Sequence, residues 1–235
     1  MTQRGRRDDR PVVIVAGCDD IGSAIARALH LGGAGVVLID DADPPWPRRG
    51  MSYADAWYVG GATLADIDAC FCASVKSIPA VLDRGDTIAA TTWSLHGVAV
   101  ALQPIAFVDS RAIARAPAFA SRVDAGHSGR FLTRHRIAER VERGDLLGEV
   151  SGEGVHAPAS GVLRGLAARG ARVVAGRTIA EIDESGDASR CFGVSLEAQA
   201  AAQNVLCTLG MRLRAPRSCT VPEAPGPREF AACRR

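Results

Sequence analysis

Apolar positions near the N-terminus come in unbroken runs. Val12 to Ala16 is one such run, and a strand apolar on both faces belongs inside a parallel sheet. From Asp20 the spacing changes: Ile21, Ala24, Ile25, Ala28 and Leu29 recur with a helical period until Gly32-Gly33 ends it. Val36 to Ile39 is a second buried-strand run, closed by Asp40 and Asp41. The three pieces make a βαβ unit of about 30 residues, the opening of a doubly wound sheet. "TIAATT" (87–92) and "IAFVDS" (105–110) predict two more buried strands, with "SLHGVAVAL" (94–102) as a short helix between them. Proline-rich "PPWPRRG" (44–50) must be loop.

The second half of the chain repeats itself. At an offset of 32, residues 128–150 and 160–182 share Ser128/Ser160, Gly129/Gly161, Arg140/Arg172, Val141/Val173, Gly144/Gly176 and Glu149/Glu181. Each half reads as short strand, turn, "V-x-x-G" turn, short strand, and neither can bury its apolar face alone. The pattern predicts a small flattened β-barrel built from two half-motifs. The fold class expected is therefore an α/β Rossmann-like parallel sheet domain, then a small all-β barrel-sandwich hybrid domain, then a C-terminal helix. The domain bounds expected are 11–112 for the first, 113–127 for a linker and 128–184 for the hybrid. A closing strand and helix at 190–212 and a disordered, proline-rich tail at 216–235 complete the chain.

Composition narrows the partners. The 235 residues carry 28 basic and 26 acidic side chains, a net charge of +2 that gives little support for a nucleic-acid partner. No apolar run reaches the roughly 18–20 residues of a membrane span, and the N-terminal run is too short for a signal-peptide core. A cytoplasmic location is expected, with no membrane partner. The seven cysteines are odd in number and show no repeated CxxC spacing, so Cys70 and Cys72 do not complete a four-ligand zinc site. They read as small buried residues of a reducing compartment. The five histidines are scattered, without metal-ligand spacing or a nucleophile beside them. No metal site and no catalytic residues are assigned.

The turn after the first strand is the candidate site. A dinucleotide fingerprint, G-x-G-x-x-G, needs its middle glycine for backbone to approach a pyrophosphate; here the three positions are Gly17, Asp19 and Gly22. Asp19 puts a negative charge where phosphate would sit at the helix N-terminus. The competing reading has Gly17 and Gly22 shaping a tight turn while Asp19 or Asp20 caps the helix. Asp40, at the end of the second strand, is placed to accept from a ribose hydroxyl. Arg48 and Arg49 follow on the same edge, either to neutralise an anion or as a solvated loop face. Asp109-Ser110-Arg111 ends a later strand at the carboxyl edge, where open α/β sheets bind ligands. Arg49 and Arg111 are expected to meet there as a bidentate anion site.

Two resemblances follow from these motifs. "GDLLGEV" and "APASG" within 144–161 resemble the biotinyl/lipoyl-like hybrid of cofactor carriers. The hairpin tip is Ser151-Gly152-Glu153-Gly154, however, and Lys76 is the only lysine of the chain, so no biotin or lipoate is expected. The whole order of motifs resembles the YqeB-like accessory proteins of molybdenum hydroxylase systems, often labelled selenium-dependent. The residues that carry it are Gly17, Asp20, Gly22 and Ser23, then Arg48-Arg49 with "SYADAWYVG" (52–60), "QPIAFVDSR" (103–111), the two half-motifs and "CFGVSLEAQAAAQNVLCTL" (191–209). It covers about residues 11–210 without 112–127, and departs at Asp19 and in lacking the family's G-L-G-P-G segment. It implies an accessory or maturation protein for a molybdenum hydroxylase client, binding a nucleotide, a dinucleotide or a molybdopterin-type ligand through Gly17, Asp20, Gly22, Ser23, Asp40, Arg49, Asp109 and Arg111. A nicotinamide-dependent oxidoreductase, favoured by Asp40 and opposed by Asp19, and a non-enzymatic interaction module are the alternatives.

Overall fold

A computed structural model of the protein describes residues 10–92, 94–113 and 120–212; the tail expected at 216–235 lies outside them. β1 (Val12–Ala16), α1 (Asp20–Leu31) and β2 (Gly35–Ile39) form a βαβ unit, with Val12 paired to Gly35 and Ala16 to Ile39. Next come α2 (Ala56–Val59) and the strands β3 (Gly61–Leu64) and β4 (Ile67–Phe71). They are followed by α3 (Ile78–Arg84), β5 (Thr87–Thr91), α4 (Leu95–Leu102) and β6 (Ala106–Asp109). The strands lie in the order β3-β4-β5-β2-β1-β6. One apolar layer, with Val13, Val15, Val36 and Leu38, packs under α1; the other, with Ile14, Val37 and Ala89, packs against Ile78 and Val81 of α3. That two-sided burial is why these strands read as unbroken apolar runs.

The remaining strands are β7 (Ser121–Asp124), β8 (Gly129–Leu132), β9 (Arg140–Val141), β10 (Leu146–Val150), β11 (Glu153–His156), β12 (Gly161–Leu166), β13 (Arg172–Val173) and β14 (Thr178–Asp183), before the final helix α5 (Leu196–Thr208). Strand starts recur at the offset of 32: Gly129 and Gly161, Arg140 and Arg172, Leu146 and Thr178. The halves exchange their shortest strands, so β13 pairs with β8 and β9 pairs with β12.

The expected Rossmann-like parallel sheet followed by a barrel-sandwich hybrid is corrected on two counts. The first sheet is mixed, because β3 runs antiparallel to β4 in a hairpin that turns at Ala65 with φ 55°. The second part is two four-stranded antiparallel sheets, β11-β10-β8-β13 and β7-β14-β12-β9, around a shared core of Phe131, Leu147, Leu163 and Ile182. Its two-residue strands β9 and β13 are too short to carry either sheet round into the other. α5 stands within the stretch where a C-terminal helix was expected. It returns to the first part, setting Ala198, Ala202 and Leu206 into the core that holds Ala24 and Ala28 of α1. The stretch 113–127, expected to be linker, contributes β7, which pairs with β14. A 3-10 turn at Ala188–Cys191 stands where a closing strand was expected. Among the described residues no helix is long and apolar enough to cross a membrane.

Candidate functional site

The turn between β1 and α1 is closed upon itself. Gly17 takes φ +96°, and a Cβ there would fall 2.3 Å from Ser110 Oγ. A Cβ on Gly22 would fall 1.8 Å from the Gly17 carbonyl oxygen. Both glycines are therefore required by packing inside the protein, and their need for space says nothing about a ligand. Ser110 Oγ donates to Ala16 O at 2.8 Å, and Ser23 Oγ donates to Cys18 O while accepting from Tyr53 N. The Asp19 carboxylate accepts from Gly22 N at 2.7 Å and caps α1, the role that the competing sequence reading gave it.

Arg48 fills the remaining space before the helix. Its Nη1 donates to Asp20 Oδ2 and its Nε to Glu181 Oε2, both at 2.7 Å, so one guanidinium joins α1 to β14. Burial works against the charge, but the two carboxylates outweigh it and raise the Arg48 pKa above its ordinary value. What is left is a cavity of about 60 Å³ lined by Asp19, Asp20, Arg48, Arg122, Glu181 and Glu197 among others. Ligand pockets run from roughly 300 to 1,000 Å³. Four carboxylates and so little room leave no seat for a pyrophosphate.

Asp40 is likewise engaged inside the protein. Its Oδ2 accepts from Cys18 N at 2.6 Å and from Trp46 Nε1 at 2.8 Å, and its Oδ1 from Asp41 N. Burial and the Asp40 carboxylate push the Cys18 thiol well up, so that sulfur stays protonated and inert. Arg49 turns away into a 3-10 turn and pairs with Asp55 at 2.7 Å. Arg111 folds back on Asp109, donating from Nε at 2.9 Å; its hydrogen bond holds the Asp109 carboxyl below the usual range. Each of these arginines has its own carboxylate, and they do not make the shared fork expected of them.

The structure instead brings Asp40 and Arg111 together with residues that the sequence did not mark as site residues. A cleft of about 470 Å³ lies beyond the carboxyl ends of β2 and β6, lined by Asp40, Asp41, Asp43, Trp46, Arg111, Arg172 and Arg177. Arg177 sits in the loop before β14, its guanidinium carbon 4.4 Å from the centre of the Trp46 ring. The Asp40 hydrogen bond fixes that ring. Arg172 reaches Asp43 only at 3.8 Å. Arg177 has no carboxylate partner among the described residues, so its N–H edge stands open to the cleft. A stacked, planar guanidinium is suited to a bidentate anion. Gly17, Gly22, Ser23, Asp20, Asp109 and Arg49 shape or brace the surroundings and do not line this cleft. Among the described residues no group of three or more His, Cys, Asp or Glu could hold a metal.

No family model matches this chain, and no curated protein does. The likeness to YqeB-like proteins thus rests on the quoted motifs alone. Among solved structures, it is similar to a succinylglutamate desuccinylase/aspartoacylase from Rhodobacter sphaeroides at 12% identity. That match covers 74% of this chain and 85% of that one, with a TM-score of 0.27. The product-bound ectoine utilization protein EutE (DoeB) from Ruegeria pomeroyi is 14% identical over 74% of this chain and 52% of that one, TM-score 0.25. An aspartoacylase family protein from Mesorhizobium loti is 9% identical over 74% and 85%, TM-score 0.27. Scores this low carry no activity to this chain. They do not point to molybdenum hydroxylase maturation either. With the nucleotide turn closed by Asp19 and Arg48, that expected role and the nicotinamide alternative are both withdrawn.

Proposed function

We propose that the protein is a binding module for a small anionic ligand, taken up in the cleft beside Trp46. The observation that carries this reading is Arg177, stacked on a tryptophan that Asp40 holds in place and left without a carboxylate among the described residues. Arg111 and Arg172 supply further positive charge on the same cleft, while Asp41 and Asp43 limit how much negative charge it accepts. The ligand chemistry that fits is a compact carboxylate or phosphate with one or two charges, its planar or tetrahedral head on the Arg177 fork and its body against Trp46 and Val174.

Calorimetric titration with phthalate, citrate and inorganic phosphate tests the reading. At least one should bind saturably and more weakly at raised salt, and Arg177→Gln should weaken it about tenfold or more, as expected for a charge-assisted pair worth roughly 1.5–3 kcal/mol. Unchanged binding in Arg177→Gln, or no binding by any of the three probes, would overturn it.

A further inference from the structure

Cys70 and Cys72 lie on one face of the first sheet. Alternation along β4 sends Ala69 and Phe71 to the α1 side, where Phe71 meets Trp57, while Cys70 and Cys72 pack against the α3 layer with Ile78 and Val81. Their exposures differ: Cys72 is buried, Cys70 half-buried. Arg84, the last residue of α3, donates from Nη2 to Cys70 Sγ at 3.9 Å. The Cys72 hydrogen bond, with help from Arg84, lowers the Cys70 pKa to about 7 against burial and against Asp86. A thiol of that kind is substantially thiolate at neutral pH and reachable from solvent. Two residues along a strand span about 6.6 Å, at the long end of the roughly 4.4–6.8 Å between the Cα atoms of a disulfide. Their Cβ atoms, side by side on one face, stand farther apart than the roughly 3.5–4.5 Å of a disulfide, so closing the bridge requires the chain at Cys72, just past the end of β4, to shift; a bridge held against that shift is strained and easily reduced again.

We propose that Cys70 and Cys72 form a reversible dithiol–disulfide site, independent of the Trp46 cleft. Cys70 is the attacking thiol and Cys72 the resolving one. The oxidant is a low-molecular-weight disulfide. The Cys70 thiolate attacks one of its sulfurs, the S–S bond breaks, and one small thiolate leaves and takes up a proton. Cys72 then loses its proton and attacks Cys70 Sγ of the mixed disulfide, expelling the second small thiol. Two protein thiols are oxidised to one disulfide, and one small disulfide is reduced to two thiols.

The test treats the full-length chain with hydroxyethyl disulfide at pH 7 and reads products by mass spectrometry and peptide mapping. In the wild type the peptide that carries both Cys70 and Cys72 should lose two hydrogens, restored by dithiothreitol. Cys72→Ser should stop at a mixed disulfide on Cys70. Arg84→Gln, at an exposed position that leaves the core intact, should slow the reaction of Cys70 several-fold. Exposed Cys207 serves as the reference thiol. Cys70 reacting no faster than Cys207 in the wild type, or Cys72→Ser and wild type giving the same product, would overturn the proposal.

Discussion

Arg48→Met would break the buried charge network that joins α1 to β14. The Arg48 side chain is 13% exposed and its partners Asp20 and Glu181 are 4% and 7% exposed, so water does little to screen the three charges. An exposed pair would contribute about 0–1 kcal/mol. Removing one partner from a buried network instead costs about 3–5 kcal/mol, because the carboxylates lose the guanidinium that offsets their buried charge. For a chain of this size, about 2–4 °C of melting temperature is lost per kcal/mol, so the midpoint should fall by roughly 6–20 °C. The cost resides in the stranded charges, so neutralising them should restore most of it. The triple variant Arg48→Met, Asp20→Asn, Glu181→Gln should lie within about 1–2 kcal/mol of wild type, less the modest loss of an acidic group from the first turn of α1. Urea denaturation of the wild type, the single and the triple variant supplies the comparison. A single variant that loses under about 1 kcal/mol, or a triple variant no more stable than the single, would refute the argument from burial.

Two further outcomes can be read directly. Burial, with the Arg10 charge nearby, lowers the His30 pKa from its ordinary 6.5, so the unfolded chain takes up that proton first and stability is full above pH 6.5 and declines as pH falls below it. Urea midpoints between pH 7.5 and 5.5 should show this decline, and His30→Asn should flatten it; an unchanged slope would remove His30 as its source. Gly22→Ala should not yield a folded protein, since the added carbon would overlap backbone, whereas Gly126→Ala, with nothing within 4 Å of the new Cβ, should melt like wild type.

The parts legible in the sequence were those whose burial is two-sided or whose pattern is local. β1, α1 and β2 announced themselves through apolar runs and a change of period, and the offset of 32 matched recurring strands because the same turns are needed twice. The β3–β4 hairpin escaped, since its turn uses Ala65 and Asp66 where glycine or asparagine would have been a signal. The docking of α5 on α1 escaped as well: alanines at a spacing of four show that a face is small, not which helix it meets. The candidate site was only half visible. Asp40 and Arg111 come from strand ends and were found by topology, but Arg172 and Arg177 reach the cleft from the second half of the chain, more than 60 positions from Arg111. The one local signal was Trp46, an aromatic residue in a proline-bounded polar loop. Arg48 and Arg49 show the limit of motif reasoning: adjacent in sequence, one is buried between two carboxylates while the other pairs with Asp55.

The return of α5 to α1 has a consequence for how the chain is made. The strands of the first sheet are complete once Asp109 has been synthesised, yet the apolar face of α1 at Ala24 and Ala28 has no cover until Leu196–Thr208 emerge. At about 5–20 residues per second the intervening hundred residues occupy on the order of 5–20 s of translation. For that interval the nascent sheet carries an uncovered apolar stripe on its longest-buried helix, and closing it requires a contact across some 170 positions, slow to form by diffusion of the chain. Ribosome-bound chains halted before Leu196 should therefore bind holding chaperones and be cut readily within α1, whereas chains released past Thr208 should do neither. Among the described residues, the last helix to be translated is the one that makes the first unit safe from aggregation.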